Sequence, residues 1–156
     1  MSDVRVWRAS PGEAADVTRL MVAFRNWWKR DWPDDEAFAR GVERLLADEN
    51  TDYLLGAVGD GAPSGVCQLR FRFSLWWDAP DCLLEDLYVE DAARGHGLGE
   101  ALVNAAVARA RGRGCRRVEL DTNETNAPAI ALYERLGFSS YVDDAGGHNR
   151  FMRLHL

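Results

Sequence analysis

The chain has 156 residues, and 47% of them are hydrophobic, which is enough for one domain with a sizeable core. Its 19 basic and 25 acidic side chains give a net charge of −6. This balance argues against general nucleic-acid binding, which needs a basic surface. It is compatible with a cationic substrate, because net charge can steer an oppositely charged molecule toward a protein.

Targeting and redox features of the sequence indicate the cytoplasm. The first ten residues lack the apolar region of a signal peptide, and no apolar run approaches membrane-spanning length. Cys67, Cys82 and Cys115 show no metal-ligand spacing, so we interpret them as reduced thiols. The sequence therefore predicts one cytoplasmic domain, residues 1–156, with no metal, membrane or nucleic-acid partner.

The first half of the chain predicts three strands and two helices. Val4–Arg8 alternates weakly, as a first strand would. Ser10 and Glu13 form a capping box that starts a helix, and acidic residues 34–36 favour the start of a second helix. Strands follow over residues 53–58 and 66–75. Alternation in the latter predicts an inward set and an outward set of side chains: Leu69, Phe71 and Phe73 against Arg70, Arg72 and Ser74.

The second half predicts a strand and helix pair that repeats. A strand over residues 83–89 leads to a helix that begins near Leu98, and a strand over 118–122 leads to a helix over 126–137. Two short strands end the chain, around residues 141–142 and 151–154. The order predicts an α/β fold, because a helix that joins two strands makes them parallel neighbours, with ligands near their carboxyl ends.

A glycine-rich loop lies between the predicted central strand and the helix at Leu98. Glycines allow close approach of backbone N–H groups, and a helix start carries partial positive charge, so the loop suits a phosphate or pyrophosphate. It matches neither a P-loop nor a dinucleotide fingerprint. It fits the pattern R-x-x-G-x-G through Arg94, Gly97 and Gly99. In this it resembles the coenzyme A pyrophosphate loop of the GNAT family of N-acetyltransferases.

Two further segments carry the resemblance over most of the chain. Residues 126–138 are similar to the N-x-x-A-x-x-L-Y-E-x-x-G-F stretch of GNAT enzymes. Residues 84–89, LEDLYV, look most like the diamine (spermidine/spermine) acetyltransferase branch. The resemblance implies a single GNAT-like domain: a mixed, mostly antiparallel central sheet with one parallel pair, and helices on both faces.

The resemblance also implies how acetyl-CoA, the cosubstrate, is held. Backbone groups of Leu87, Tyr88 and Val89 would bond the pantetheine arm as an added strand does. The loop amides and Arg94 would hold the pyrophosphate. For Asn126 a contact with the pantetheine region and a helix-capping role stay open together. The implied coenzyme-binding set is Leu87, Tyr88, Val89, Arg94, Gly95, His96, Gly97, Leu98, Gly99, Glu100, Asn126 and Ala129.

Two side chains match the family's catalytic positions. Tyr133 matches the general acid that protonates the departing thiolate, and its alternative is a core aromatic. Glu85 matches the glutamate that acts through water as general base, which is needed because a free alkylamine is mostly protonated at pH 7. Asp86 is the fallback for this role, with Glu119 and Asp121 weaker still.

An acceptor pocket is expected from residues 27–36 and 76–81 by analogy with the family. Both segments join tryptophans to carboxylates, a combination that suits a cation. We predict that Trp28, Trp77 and Asp86 bind substrate. The alternative is that the tryptophans form core or dimer contacts while the acids are solvated.

The hypothesis is therefore an acetyl-CoA-dependent N-acetyltransferase that acts directly on a primary amine of a small, cationic, polyamine-like substrate, with a homodimer as the expected assembly. Two alternatives stay open. One is an enzyme for a protein, a peptide or an aminoglycoside. The other is a non-catalytic acyl-CoA-binding module that regulates a partner.

Overall fold

The structure is a computed structural model that describes residues 3–156. The chain forms two compact units, of which the first ends at Leu120 and the second runs from Asp121 to Leu156. No helix among the described residues is both long and apolar enough to cross a membrane.

The first unit contains a five-stranded sheet and three helices. The strands lie in the order β1-β2-β3-β4-β5, and every neighbouring pair is antiparallel except β4 and β5, which are parallel. This confirms the predicted α/β class with a mixed sheet and one parallel pair. The elements are β1 (Val4–Arg8), α1 (Ala14–Trp27), α2 (Asp35–Leu46), β2 (Thr51–Val58), β3 (Gly65–Ser74), β4 (Ala79–Val89), α3 (Leu98–Gly112) and β5 (Val118–Glu119).

Local sequence signals start the first two helices as expected. The Glu13 carboxylate accepts hydrogen bonds from the backbone N–H of Ser10 at 3.0 Å and from its hydroxyl at 3.3 Å, which confirms the capping box. A short 3₁₀ turn, Pro11–Glu13, precedes α1. Asp34 caps α2 by accepting a hydrogen bond from the Ala37 N–H at 2.8 Å.

Helices cover both faces of this sheet. Val17, Leu20 and Met21 of α1 pack with Tyr53 and Leu55 on one face. The residue after Leu55, Gly56, faces α3 on the other side, since successive strand residues point to opposite faces. For this reason all residues of β2 from Thr51 to Ala57 are buried.

The predicted alternation of β3 is confirmed over residues 69–72, where Leu69 and Phe71 are buried while Arg70 and Arg72 reach solvent, and it is wrong at the end of the strand. Residues 65–69 are buried on both faces, because α1 and α3 sandwich this part of the sheet. Beyond them Phe73 is 66% exposed and Ser74 is buried, the reverse of the expectation. The reason is that the end of β3 extends past the helices as a hairpin with β4, where an apolar side chain finds no core.

A pair of glycines seats α3 on the sheet. Gly56 and Gly65 lie opposite each other in the β2–β3 register. A Cβ atom at Gly56 would lie 2.7 Å from Leu98 Cδ1, and one at Gly65 would lie 2.9 Å from Leu102 Cδ1. Both distances are shorter than carbon atoms tolerate, so the first two turns of α3 approach the sheet as closely as they do only because these residues lack side chains.

A buried carboxylate fixes the far part of α3. Asp52 on β2 is 2% exposed and lies 2.6 Å from Arg109 Nε and 2.8 Å from Arg8 Nε. Arg109 is eleven residues beyond Leu98, which is about 16 Å along the helix axis. Packing at one end and an ion pair at the other therefore hold α3 in place.

The second unit contains α4 (Ala127–Arg135), β6 (Tyr141–Val142) and β7 (Gly147–His148). The predicted helix over 126–137 is thus present, and β6 lies at the predicted place. The prediction for residues 151–154 is wrong: the strand that pairs with β6 is β7, since a tight turn with a Gly146 N–H to Val142 C=O hydrogen bond of 2.9 Å reverses the chain earlier. The strand predicted over 118–122 is likewise limited to Val118–Glu119.

We predict that Gly65→Ala lowers the free energy of unfolding by about 1–3 kcal/mol, because the added methyl group overpacks the contact with Leu102 and Leu98. Urea unfolding followed by circular dichroism measures this change. Gly41→Ala is the matched control: Gly41 lies inside α2 with no atom within 4 Å of its would-be Cβ, so alanine is expected to be neutral or to stabilise by about 0.5–1 kcal/mol. Equal effects at the two positions would contradict the seating of α3.

Candidate active site

The outer edge of β4 is open along half of the strand. Pairing between β4 and β5 is limited to Cys82 with Val118 and Leu83 with Glu119. Within residues 3–120, no strand pairs with that edge of β4 from Leu84 to Val89. An extended ligand with amide groups can add to such an edge as a further strand does, and Leu87, Tyr88 and Val89 lie along it.

A β-bulge places Glu85 at the beginning of this open stretch. In the β3–β4 register Gln68 pairs with Asp86 and Leu69 pairs with Leu84, which leaves Glu85 as the extra residue. Bulges bend a strand, change the direction of a side chain and occur often next to active sites. The Glu85 side chain is exposed, so it is available to a reacting molecule or a water.

The glycine-rich loop has the geometry expected of an anion site. Gly95 and Gly97 adopt φ values of 80° and 81°, in the left-handed region that favours glycine, and Gly97 is the N-cap of α3. A Cβ atom at either position would meet nothing within 4 Å, so the space beside the loop is open. The first turn of a helix has no intrahelical partners for its N–H groups and carries partial positive charge. Leu98 and Gly99 contribute two of these groups.

Arg94 connects the glycine loop to α1. Its Nε donates a hydrogen bond to the Val89 carbonyl at 3.0 Å, and its guanidinium forms an ion pair of 2.8 Å with Asp91. The same guanidinium lies over the Trp27 ring, 5.8 Å from its centroid. Arg94 thus lies between the end of β4 and an aromatic group on α1. This contact joins two residues that are far apart in the chain, so no local pattern in the sequence predicts it.

Four aromatic rings form a cluster beside the end of β4. Phe24 stacks on Tyr88 at 5.2 Å, and Trp27 meets Trp28 edge to face at 4.7 Å. Phe24 also contacts both tryptophans at 6.2 Å. Trp27 and Trp28 are 39% and 43% exposed. Phe24 therefore contacts both the predicted substrate residue Trp28 and the predicted coenzyme residue Tyr88.

Asp86 lies on the same side of the sheet as this cluster. Tyr53, Gln68 and Asp86 are neighbours across β2, β3 and β4, and paired residues share a face. Burial raises the pKa of the Tyr53 hydroxyl above its ordinary value, and the negative charges of Asp86 and, less strongly, Glu85 add to this. Asp86 and Tyr88, two residues apart, share the face covered by α1. Tyr53 and Gln68 were not predicted as part of this region, since in the sequence they look like ordinary strand residues.

Trp77 and Asp81 lie away from that cluster. Trp77 is in the turn between β3 and β4, and the strand from Ala79 to Tyr88 spans about 30 Å at the rise of a β-strand. Asp81 is 2% exposed and accepts two hydrogen bonds from Arg117, at 3.0 and 2.9 Å. The prediction that residues 76–81 and 27–36 form one pocket is therefore not supported by the arrangement of the first unit, and the segment 76–81 forms a turn and the start of β4.

The segment between α1 and α2 is organised by a half-buried arginine. Arg25 donates a hydrogen bond to the Pro33 carbonyl at 2.7 Å, pairs with Asp35 at 2.7 Å, and lies over the Phe38 ring at 5.4 Å. Asp34 is occupied as the cap of α2. Of the acids predicted for the acceptor pocket in this segment, Asp34 and Asp35 thus have structural partners.

The second unit holds three of the predicted site residues on one helix. Asn126 is the N-cap residue of α4, but its side chain makes no capping hydrogen bond. Ala129 is partly buried one turn later. Tyr133 is 8% exposed, and its ring packs edge to face on Phe138 at 5.8 Å. Asn126 therefore occupies the N-cap position of α4, but its side chain does not cap the helix.

The three cysteines are free thiols. Burial raises the pKa of Cys82 to about 12 and raises the pKa of Cys67 and Cys115 as well. A raised thiol pKa lowers the thiolate fraction and hence the reactivity of the group. Among residues 3–156, no cluster of three or more His, Cys, Asp or Glu side chains is arranged to hold a metal ion.

In the first unit, the open edge of β4 lies between the exposed Glu85 at the bulge and the left-handed glycine loop at the start of α3. Known proteins show which family has this sequence. The acetyltransferase (GNAT) family matches residues 21–138, which is most of the chain. The protein belongs to the GNAT family.

Individual relatives of this GNAT protein differ in the substrates that their names state. It is 28% identical to the aminoglycoside N(6')-acetyltransferase type 1 of Stenotrophomonas maltophilia, over 84% of this chain and 83% of that one. It is also 28% identical to the thialysine N-epsilon-acetyltransferase of Sus scrofa, over 96% and 92% of the two chains. The relatives show that this protein is an acetyltransferase that acts on amines. Because the identity to both is the same, they do not specify which amine it uses.

Solved structures agree on the fold. A candidate acetyltransferase from Arthrobacter sp. FB24 superposes with a TM-score of 0.86 at 30% identity, covering 97% of this chain and 96% of that one. An aminoglycoside N-acetyltransferase in complex with CoA superposes with a TM-score of 0.80 at 18% identity, covering 100% and 96%. The second likeness, at its low identity, concerns the fold alone.

Proposed function

We propose that this GNAT enzyme transfers an acetyl group from acetyl-CoA directly to a primary amine of a small, cationic substrate. The observation that carries the proposal is the open edge of β4 between the bulge at Glu85 and the glycine loop that begins α3. This stretch offers, in order, a carboxylate, strand amides and an anion site, which are the groups that amine acetylation by a coenzyme A thioester needs.

The residues of the first unit fit acetyl-CoA. Backbone groups of Leu87, Tyr88 and Val89 would hold the pantetheine arm, and the loop amides from Gly95 to Glu100 would hold the pyrophosphate, with Arg94 beside them. The space beside Gly95 and Gly97 is open, as a ligand there requires. When bound, acetyl-CoA supplies an acetyl thioester whose carbonyl oxygen the β4 N–H groups would polarise. Membership of the acetyltransferase (GNAT) family supports the choice of coenzyme.

Proton transfer is assigned to two side chains. The amine nitrogen forms a bond with the thioester carbonyl carbon as the C–S bond breaks. Glu85, exposed at the bulge, would accept the amine proton through a water. Tyr133 would give its proton to the departing thiolate, a role that rests on its place in the LYE motif and not on a position in the first unit. Asn126 and Ala129 keep their proposed contacts with the coenzyme on the same grounds.

The acceptor is assigned to the aromatic cluster on α1. Trp28 presents a partly exposed ring beside Trp27 and Phe24, and Asp86 lies on the same face of the sheet as Tyr88, which stacks on Phe24. An aromatic face combined with a carboxylate attracts an ammonium group. Because Trp77 lies at the other end of β4, we leave it out of the acceptor site. A diamine-like substrate is our first choice, and the relative that acetylates an aminoglycoside makes a cationic amino sugar the second.

The proposal also covers the cellular location and the oligomeric state of the protein. A cytoplasmic location and a homodimer stay predictions from the sequence. The acyl-CoA-binding module stays the alternative outcome of the activity test below, although the relatives described above are named as acetyltransferases.

We expect coenzyme A thiol release from acetyl-CoA with one chemical group in a panel of polyamines, small diamines, amino acids, aminoglycosides and lysine peptides. Release with diamines or polyamines supports the first choice, and release with aminoglycosides supports the second. The protein's own thiols add little background, because their pKa values are raised by burial. Tight acetyl-CoA binding without release by any amine would favour the binding module, and absence of binding would contradict the proposed coenzyme site.

Substitution of Glu85 and of Asp86, one at a time, distinguishes the proposed general base from the proposed substrate-binding carboxylate. We expect Glu85→Gln to lower kcat about 100-fold or more, as loss of a general base does. Asp86→Asn is the matched control, with the same chemical change one residue away, and is expected mainly to raise KM for the amine. Steady-state kinetics with acetyl-CoA saturating measure both effects. The opposite result, with kcat lost only in Asp86→Asn, would move the base to Asp86.

Loss of the Tyr133 hydroxyl tests the acid. We expect Tyr133→Phe to lower kcat about 100-fold while KM for acetyl-CoA stays nearly constant, because the ring that packs on Phe138 is kept. Tyr141→Phe removes the hydroxyl of an exposed tyrosine in the same unit and should leave the rate unchanged. If Tyr133→Phe turned over like the wild type, the acid would be another group.

A further inference from the structure

The guanidinium of Arg94 has three partners. Two of them belong to its own segment: Nε donates a hydrogen bond to the Val89 carbonyl at 3.0 Å, and Nη1 lies 2.8 Å from the Asp91 carboxylate. The third is the ring of Trp27, the last residue of α1, whose centroid lies 5.8 Å from Arg94 Cζ. The Arg94 side chain is 45% exposed, so a ligand can still reach it.

Of these partners, Trp27 restrains the guanidinium without using its hydrogen-bond donors. A guanidinium has five N–H donors. The Val89 carbonyl takes one of them and the Asp91 carboxylate takes at most two, so donors remain for an anion. A tryptophan ring attracts a guanidinium through its flat face, and it does not cancel the positive charge. The ring therefore limits the movement of Arg94 while leaving its charge and its spare donors to a ligand.

The Trp27 ring is itself held against the end of β4. Phe24, one turn earlier in α1, contacts the Trp27 ring at 6.2 Å and stacks on Tyr88 at 5.2 Å. Tyr88 directly precedes Val89, whose carbonyl accepts the hydrogen bond from Arg94. Trp27 thus contacts Arg94 from a position that packing on β4 fixes.

The helix α1 has a second contact with the segment that carries Arg94. Arg19 Nη1 lies 2.6 Å from Glu90 Oε1, and Arg19 Nη2 donates a hydrogen bond of 2.5 Å to the Pro63 carbonyl. This contact is at the other end of the segment 90–94 and does not involve the Arg94 side chain. It joins α1 to the segment as a whole, whereas Trp27 acts on one side chain.

We propose that Trp27 is a positioning residue that holds Arg94 ready for the pyrophosphate, and that it thereby makes the enzyme select coenzyme A over pantetheine compounds that lack this group. An arginine loses rotamer freedom when it binds an anion, and this loss weakens binding. Because the Trp27 ring has already removed part of that freedom, less of it is lost when the coenzyme binds. The inference rests on the proposed function, which assigns Arg94 to the pyrophosphate.

Displacement calorimetry with coenzyme A and with pantetheine, which has the thiol arm but no pyrophosphate, tests the proposal. The dissociation constant of pantetheine divided by that of coenzyme A measures selectivity for the pyrophosphate. We expect Trp27→Leu to lower this ratio about 3–10-fold, as the ordering of one long side chain on binding would. The dissociation constant of pantetheine should stay nearly unchanged. Because the measurement needs no amine, it does not depend on which substrate is acetylated.

Three further variants show whether the effect acts through Arg94. Trp27→Phe keeps an aromatic face and should keep the ratio within about twofold of the wild type. Arg19→Gln is the matched control, because it removes the other contact of α1 with this segment, and it should leave the ratio unchanged. In an Arg94→Gln background, Trp27→Leu should cause no further loss, because the effects of two residues that act through one contact do not add.

The possible contrary results are distinct. Equal weakening of coenzyme A and pantetheine binding in Trp27→Leu would overturn the proposal, since it would show a loss of structure alone. An unchanged ratio in Trp27→Leu, beside a lowered ratio in Arg94→Gln, would also overturn it but would leave the proposed coenzyme site intact. A wild type that binds coenzyme A no more tightly than pantetheine would contradict the coenzyme site itself, and the inference with it.

Discussion

The contact between α3 and the glycine pair of β2 and β3 is the constraint on which the first unit depends. Leu98 and Leu102 occupy the space that side chains at Gly56 and Gly65 would fill. Leu98 is also the first residue of α3, directly after the left-handed Gly97. The packing of one side chain into the core therefore sets the position of the helix start, and with it the position of the loop amides assigned to the pyrophosphate. The contact that packs α3 on the sheet therefore also positions the amides of the proposed pyrophosphate site.

The second constraint is the early separation of β4 from β5. Two residue pairs join these strands, after which β4 continues for six residues with an edge that no strand within residues 3–120 pairs. Hydrogen-bonding groups on such an edge are normally a liability that invites unwanted pairing. In this protein the bulge at Glu85 and the glycine loop enclose the open stretch at both ends. The edge is thus short, bent and placed next to an anion site, which suits a narrow ligand with amide groups better than another strand.

The sequence predicted the fold class, most of the element bounds and the position of the loop, because these depend on local signals. The capping box at Ser10 and Glu13, the acidic residues 34–36 at the start of α2 and the glycines before Leu98 each act within a few residues. Features that depend on distant partners were not predicted. The seat at Gly56 and Gly65, the ion pairs of Asp52 and the contact of Arg94 with Trp27 join segments that no local pattern connects.

The errors have the same origin. Alternation in β3 predicted Phe73 inside and Ser74 outside, but the pattern carries no information about where the covering helices end. In the sequence, Trp28 and Trp77 each lie near acidic residues, so both were predicted to bind substrate. In the structure they lie near opposite ends of β4, and the length of that strand keeps them apart. The roles of Tyr133 and Glu85 came from a family motif, and they stay predictions until the variants are measured.

Glycine serves this protein for two unrelated reasons, and these leave different room for evolutionary change. Gly95 and Gly97 are required by backbone torsion while the space beside them is open, so asparagine, which tolerates left-handed torsion, is an accessible substitute there. Gly56 and Gly65 are required by space, with no left-handed torsion, so a side chain at either position destabilises the packing of α3 unless Leu98 or Leu102 moves or becomes smaller. Single substitutions in the glycine loop can therefore keep its backbone conformation, whereas substitutions beneath α3 keep the packing best when the helix and the sheet change together.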